Sequence, residues 1–149
     1  MMNLRRSLGA CVLVLAATSA SAEQLIGAGR VKVTSGEAFI VRGEEHIAAQ
    51  IGQVVLESDR LKTGADGRLG VTLKDNTRVS LGPASEVRLE SFVYNPSAGQ
   101  MGLVLKFVRG VAAYVSGRIA KLSPDSIRLE TPAAIVGVRG TTLTIRVAE

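Results

Sequence analysis

The sequence contains few of the residues on which most protein chemistry depends. Its 149 residues include one cysteine, one histidine, no tryptophan and only two tyrosines. A single cysteine, Cys11, excludes an intramolecular disulfide framework. One histidine is too few for the common structural zinc sites, which combine several His and Cys ligands. The absence of tryptophan argues against an aromatic platform on which sugars stack.

The lone histidine, His46, follows two carboxylates in the run Gly43-Glu44-Glu45-His46. We interpret this run as a solvated turn between strands, because no second histidine accompanies it as a metal ligand. A Ser-His-Asp triad would need a serine on a sharp turn, and the chain has no Gly-x-Ser-x-Gly elbow. The acids form no recognisable pattern for glycoside hydrolysis: Asp59, Asp66, Asp75, Glu86, Glu90 and Asp125. We therefore expect no catalytic residue, cofactor or metal, and thus a protein that is not an enzyme.

The N-terminus has the pattern of a secretory signal peptide. Arg5 and Arg6 precede the apolar run Leu8–Ala17, and Ala20-Ser21-Ala22 supplies small residues for cleavage. This run is too short for a transmembrane helix, which needs roughly 20 apolar residues. It also continues past Cys11, which disfavours a lipoprotein. We predict a signal peptide over residues 1–22, a mature domain over 23–149, no transmembrane anchor and a periplasmic location.

The charge of the mature chain is modest and dispersed. The full sequence has 18 basic and 13 acidic residues, and removal of Arg5 and Arg6 leaves 16 against 13, a net charge of +3. The basic residues occur singly and alternate with apolar ones, which is typical of the solvated face of strands. We therefore expect no nucleic-acid partner.

Beyond residue 24 the apolar residues alternate with polar ones, which is the period of half-buried strands. The pattern predicts an all-β single domain of short, mostly antiparallel strands with tight turns, either a β-sandwich or roll or, as an alternative, a solenoid-like stack. Leu69–Leu73 and Thr77–Leu81 are expected to form a hairpin around a type I′ turn at Asp75-Asn76, with an exposed tip. Apolar pairs recurring every eight residues place four side chains in the core: Leu73, Leu81, Leu89 and Val111. The stretch Phe92–Gly102 is the longest predicted loop.

Several ordered motifs resemble those of the FecR-domain family, a periplasmic module named after a regulator of ferric-citrate uptake. The family's glycine-aspartate-x-leucine-x-threonine segment corresponds to Ser58–Thr63, and its leucine-serine-leucine-glycine-like strand to Val79–Ser85. Further similarity lies at Asp66-Gly67, Leu105–Val111 and Thr131–Thr141, so the resemblance runs from about Gly36 to Val147. Iron-uptake members of the family carry in addition a cytoplasmic anti-sigma segment and a transmembrane helix. Without those parts, the resemblance implies a binding or scaffold module rather than a direct sigma-factor regulator.

The C-terminal motif is expected to be structural. Its residues suit a sharp bend between strands at Ile135 and Leu143, with proline restricting the chain before it: Thr131, Pro132, Gly137, Arg139, Gly140 and Thr141. Arg139 is expected to bind within the domain, with a partner-facing role as the alternative.

Two functions remain open at this stage. The first is a non-catalytic interaction module that binds an envelope protein, and we expect the terminal strand Thr142–Val147 to offer a free edge. The second is a ligand-binding module for an envelope glycan or small solute. Neither the partner nor the oligomeric state follows from the sequence.

Overall fold

A computed structural model describes residues 27–138 and 142–148. The predicted signal peptide over 1–22 lies outside the described residues, as do Arg139, Gly140 and Thr141. The described residues form twelve strands and one short helix: β1 Gly29–Ser35, β2 Ala38–Arg42, β3 Glu45–Ala48, β4 Val54–Val55, β5 Arg60–Thr63, β6 Arg68–Leu73, β7 Arg78–Leu81, β8 Glu86–Asn95, β9 Gln100–Val115, α1 Arg118–Leu122, β10 Ile127–Glu130, β11 Ile135–Gly137 and β12 Thr142–Val147. The prediction of an all-β single domain is confirmed.

The strands form one sheet that curls into a half-barrel, as in a roll. The long strand β9 belongs to both parts of it. We call the part with the order β4-β1-β6-β7-β9-β12 sheet 1, and the part with the order β3-β2-β5-β8-β9-β10-β11 sheet 2. Neighbouring strands are antiparallel, except that β9 and β10 run parallel. The strands β7 and β12 pair with the part of β9 that follows its bend, and β8 and β10 pair with the part that precedes it.

The bend of β9 lies at Gly110, which has a φ of 82°. A Cβ at this position would collide with Ser85, so glycine is required there on two grounds. Before the bend the odd-numbered residues of β9 are buried, such as Phe107, and after it the even-numbered Ala112 and Tyr114 are buried. The prediction that Val111 lies in the core is therefore wrong, because the bulge reverses the alternation and leaves Val111 partly exposed.

One hydrophobic cluster joins the inner faces of both sheets. The predicted core residues Leu73, Leu81 and Leu89 are buried. The predicted hairpin is also confirmed, because β6 and β7 pair antiparallel from Leu69↔Leu81 to Thr72↔Arg78. Valine, leucine and isoleucine supply most of this core, in accord with their preference for pleated surfaces.

The turn between β6 and β7 differs from the prediction. The Asn76 N–H donates to the Leu73 carbonyl, and the Leu73 N–H to the Thr77 carbonyl, so three residues form the loop. Of these only Asn76 has a positive φ, 69°, which is the geometry of a turn followed by one left-handed residue rather than of type I′. The tip is exposed at Lys74 and Asn76, as predicted, but Asp75 between them is completely buried beneath the segment that leads into α1.

The predicted loop over Phe92–Gly102 is largely a hairpin. β8 continues to Asn95 and β9 begins at Gln100, and the two strands pair along their whole length. Only a short 3₁₀ turn at Pro96–Ala98 and Gly99 connects them. The glycines and polar residues of this stretch are accommodated because the continuous backbone ladder outweighs their low strand propensity.

Candidate functional site

The C-terminal motif begins with a tight turn between β10 and β11. The Thr131 N–H donates to the Ala134 carbonyl at 2.8 Å, and the Thr131 hydroxyl oxygen accepts the Ala134 N–H at 3.0 Å. Pro132 occupies the first loop position, where its fixed φ suits a turn. Thr131 and Pro132 thus sit at the tip of a hairpin rather than before a bend between sheets.

Gly137 ends β11, at the outer edge of sheet 2, and has open space where a side chain would begin. Thr142 then starts β12 at the edge of sheet 1. The chain therefore passes from sheet 2 to sheet 1 between Gly137 and Thr142. Arg139, Gly140 and Thr141, which connect them, lie outside the described residues, so their predicted roles stay predictions.

Four strands form the edges of the two sheets, and β11 is unlike the other three. Six consecutive residues, Pro132–Gly137, are exposed and none of them carries a charge. Ile135 is 66% exposed and Val136 is 40% exposed. By contrast β4 has two residues, β3 begins with Glu45 and His46, and β12 exposes Thr142, Thr144 and Arg146 while its apolar residues pack on the core. Short length and charge are the usual protections of an edge. β11 is short, with three residues, but it carries neither charge nor proline and its two large apolar side chains are exposed.

Two polar residues that carry the FecR resemblance, Thr63 and Ser85, lie inside the domain. Thr63 is buried, and its hydroxyl donates to the Gly82 carbonyl at 2.6 Å and accepts the Ser85 N–H at 2.9 Å. Ser85 is also buried, and its hydroxyl lies between the carbonyl and the N–H of Val111, at 2.9 and 2.8 Å. These side-chain hydrogen bonds take the place of backbone ladder bonds where β9 bends. Thr63 and Ser85 thus help to join the two sheets.

Asp59 is the charged member of the same motif. It is 1% exposed, and Arg42 donates from Nε and from one terminal nitrogen to its two oxygens at 2.9 and 2.8 Å. The Leu56 N–H donates to the second oxygen as well, at 2.8 Å. The side-chain hydrogen bonds to Asp59 raise the pKa of Arg42, so the guanidinium stays ionised. Before it, Ser58 stands where the family has glycine and keeps the left-handed backbone, with a φ of 72°.

A second buried carboxylate, Asp75, lies in sheet 1 under α1. It accepts hydrogen bonds from the N–H and the hydroxyl of Thr77 at 3.0 and 2.7 Å, and from the Ile119 N–H at 3.3 Å. Tyr114 is fully buried in the same region. Burial, and then the negative charge of Asp75, raises the pKa of Tyr114 to about 12. Asp75 thus fixes the turn and the first residues of α1 together.

His46 lies exposed on β3, and Gly43-Glu44 makes the turn before it. Among residues 27–138 and 142–148, no three His, Cys, Asp or Glu side chains are grouped as metal ligands would be. The acids considered for catalysis are dispersed. Asp59 and Asp75 are buried and hydrogen-bonded, and Glu86 and Glu90 lie in surface ion pairs.

A small pocket lies where the start of the described chain meets β8. Its volume is about 130 Å³, and it is lined by Gly27, Ala28, Glu57, Lys74, Phe92 and Tyr94. Sites for small molecules typically enclose roughly 300–1,000 Å³. This pocket is therefore too small to enclose a sugar or a drug-sized solute.

A sequence model of the FecR protein family matches residues 59–149. The chain therefore belongs to the FecR family, a family of cell-envelope signalling. The match begins at Asp59, later than the resemblance at Gly36, and leaves β1 to β4 outside it. No curated protein and no solved structure matches the chain. No helix within the described part of the chain is long and apolar enough to cross a membrane.

Two features of the surface and the interior were not found from the sequence. The exposure of Ile135 and Val136 was missed because an apolar run beside Pro132 equally suits a buried strand. The run's lack of any charge was the available indication. Arg42 was missed because its partner Asp59 is 17 residues away, and no local spacing links the two.

Proposed function

We propose that this FecR-family domain is a non-catalytic module of the periplasm that binds another envelope protein by strand addition. In this mode an extended segment of the partner pairs with a free sheet edge, so backbone hydrogen bonds supply affinity and neighbouring side chains supply specificity. The exposed, uncharged edge strand β11 is the observation that carries the proposal. The cleavable N-terminal signal predicted from the sequence supports the location.

Within the described residues, β11 has backbone groups without a partner strand. Thr131 and Ala134 form a hydrogen-bonded pair at the turn. Such pairs alternate along an antiparallel ladder, so Val136 is bonded to Leu129, whereas Ile135 and Gly137 direct their N–H and C=O groups outward. An incoming strand can therefore form hydrogen bonds with these outward groups without disturbing the existing ladder between β10 and β11.

The strand expected from the sequence, β12, is a second candidate edge. It pairs with β9 on one side, from Thr142↔Val115 to Val147↔Gly110. The Val111 carbonyl accepts the Gly82 N–H on the opposite side of β9. By alternation Thr144 directs its N–H away from β9, toward the free edge. β12 ranks below β11 because its outward side chains are threonines and an arginine, which favour water over a partner.

The alternative function, binding of a glycan or small solute in a concave site with clustered aromatics, has less support. The pocket beside Phe92 and Tyr94 is small, and it holds two of the five aromatic residues of the chain. A role in envelope signalling agrees with the family and would follow if the bound partner were a signalling protein.

The test is quantitative capture of partners from a periplasmic extract, followed by mass spectrometry. Ile135→Lys places a charge on the β11 edge and should abolish capture, because charged edges resist strand pairing. Ile51→Lys is the matched control, since Ile51 is 70% exposed but lies in a turn. Thr144→Pro removes one outward N–H of β12.

Each variant must first give the parent's far-UV circular dichroism spectrum. Loss of capture in Ile135→Lys alone supports β11, and loss in Thr144→Pro alone moves the contact to β12. If both variants capture the same proteins as the parent, strand addition is wrong. Saturable binding of a small solute in place of any protein would favour the alternative.

A further inference from the structure

We propose that the outer face of sheet 2 binds an anionic polysaccharide through a row of three cations: Arg60, Arg88 and Lys106. This site is separate from the β11 edge and is assigned by neither the family match nor the strand-addition proposal. It would give the domain a second ligand, of the class of polymers that carry one carboxylate per sugar.

The row follows directly from the strand register. Arg60 on β5 is the direct partner of Arg88 on β8, and Arg88 is the direct partner of Lys106 on β9. Their neighbours Leu61, Leu89 and Leu105 are buried in the core, so all three cations point outward. Adjacent strands lie about 4.8 Å apart, so the row presents three positive charges at intervals of roughly 5 Å.

This arrangement is unfavourable for the fold alone. Like charges placed directly opposite each other in a sheet are destabilising, and here two such pairs share Arg88. The nearby acids only partly compensate, since Arg60 and Glu86 are 3.7 Å apart and Arg88 and Glu90 are 3.4 Å apart. Within the described residues Lys106 has no ion pair, because its neighbour Glu130 lies 3.6 Å from Arg128 instead.

The surroundings of the row are also cationic. Lys62, Arg109 and Arg128 join the row on this face, and Glu86, Glu90 and Glu130 are the acids among them, which leaves an excess of three positive charges. The outer face of sheet 1 is different. Its central row consists of small uncharged residues: Gly70, Ser80, Ala113 and Thr144.

The spacing and shape favour a polysaccharide over other polyanions. Side chains on one face of an extended peptide repeat at about 6.6 Å, which is longer than the spacing of the row. Single-stranded nucleic acid is generally held by stacking on aromatic side chains, and the row contains none. A polymer of uronic acids carries a carboxylate on every ring, and an open outer face of a curled sheet accepts an extended chain without a cleft.

The experiment measures binding of polygalacturonate to the purified domain by isothermal titration calorimetry at low ionic strength. The double variant Arg88→Gln/Lys106→Gln should weaken binding at least about fivefold, equivalent to about 1 kcal/mol for two exposed charge contacts. The matched control, Arg78→Gln/Arg146→Gln, removes the same charge from exposed strand positions of sheet 1 and should change binding less than about twofold. Glu130→Gln should tighten binding.

Several outcomes would overturn the proposal. Equal weakening in both double variants would mean attraction to net charge alone, and no binding by the parent would remove the site. Tighter binding of polyglutamate or of single-stranded DNA than of polygalacturonate would assign the row to an acidic peptide or to nucleic acid. If the double variant folds poorly, Lys106→Gln alone serves, because Lys106 is exposed and has no ion-pair partner in the described chain.

Discussion

The two sheets each bury one aspartate, and each compensates its charge by different means. In sheet 2, Asp59 is held by the guanidinium of Arg42 and the Leu56 N–H. In sheet 1, Asp75 is held by Thr77 and by the Ile119 N–H, and no ion pair joins it to a cation within the described residues. The first carboxylate depends on a cation, and the second on hydrogen-bond donors that the fold fixes in place.

This difference shows how the chain outside the family match contributes. Thr77 and Ile119, which satisfy Asp75, belong to the matched segment that begins at Asp59. Arg42 lies in β2, before that segment. Breaking a buried pair by removing one partner leaves an uncompensated charge, so sheet 2 requires β2 in a way that sheet 1 does not. β1 to β4 are therefore an integral part of this domain.

The two sheets share one hydrophobic core and should therefore unfold together. Truncation of core residues in each sheet tests this expectation and should have the largest effect on stability. Leu81 of sheet 1 and Leu89 of sheet 2 contribute to the same cluster. Leu81→Ala and Leu89→Ala should each lower the free energy of unfolding by about 2–5 kcal/mol, through lost burial and a cavity. Urea denaturation followed by circular dichroism should show one transition in both. Two separate transitions would mean that the sheets unfold independently.

The charge compensation in sheet 2 is tested by Arg42→Ala. We expect a loss of about 3 kcal/mol, because Asp59 stays buried without its cation. Arg60→Ala is the control, since the Arg60 side chain is partly exposed and its contact with Glu86 is long, at 3.7 Å, and expected to be worth less than about 1 kcal/mol. Both are measured by urea denaturation. Equal losses in the two variants would mean that the burial of Asp59 has no energetic consequence.

The sequence allowed the fold class, the hairpin at β6 and β7 and three of the four core leucine and valine positions to be predicted. These features depend on the alternation of apolar and polar residues and on turn residues, both of which can be recognised from neighbouring positions in the sequence. The inward position of Val111 was wrong because it depends on the bulge at Gly110, which is fixed by contact with the distant Ser85. The burial of Asp75 was missed for the same reason, since α1 covers it from 44 residues away.

From the sequence, a free strand edge could be predicted as the candidate site, but not which strand forms it. The alternation of β12 marked it as a strand, and its strong β-formers made it the first candidate edge. That β11 is the edge with exposed apolar side chains could not be foreseen, because the pairing of Leu129 with Val136 depends on the order of the strands in the sheet. The row of three cations likewise requires the register of β5, β8 and β9, which residue spacing alone does not determine.

The charge environment in sheet 1 is tested by alkaline titration, with the smallest expected effect. Tyrosine in an unfolded chain ionises near pH 10, whereas burial and Asp75 raise the pKa of Tyr114 to about 12. The folded state therefore holds this proton more tightly, and the associated stability is complete below pH 10 and is lost as the pH rises through 12. A shift of this size corresponds to about 3 kcal/mol at the upper limit.

Tyr114→Phe should therefore lose less stability between pH 9 and pH 12 than the parent, as measured by urea denaturation at each pH. Tyr94→Phe is the matched control, because Tyr94 lies at the surface pocket and is partly exposed. Comparison with the parent also removes the contribution of lysines that titrate in the same range. If Asp75 acts through its charge, Asp75→Asn should lower the pH at which Tyr114 ionises, provided that the variant remains folded. Identical pH profiles for the parent and Tyr114→Phe would show that the hydroxyl is solvated, and that sheet 1 carries no strained charge environment.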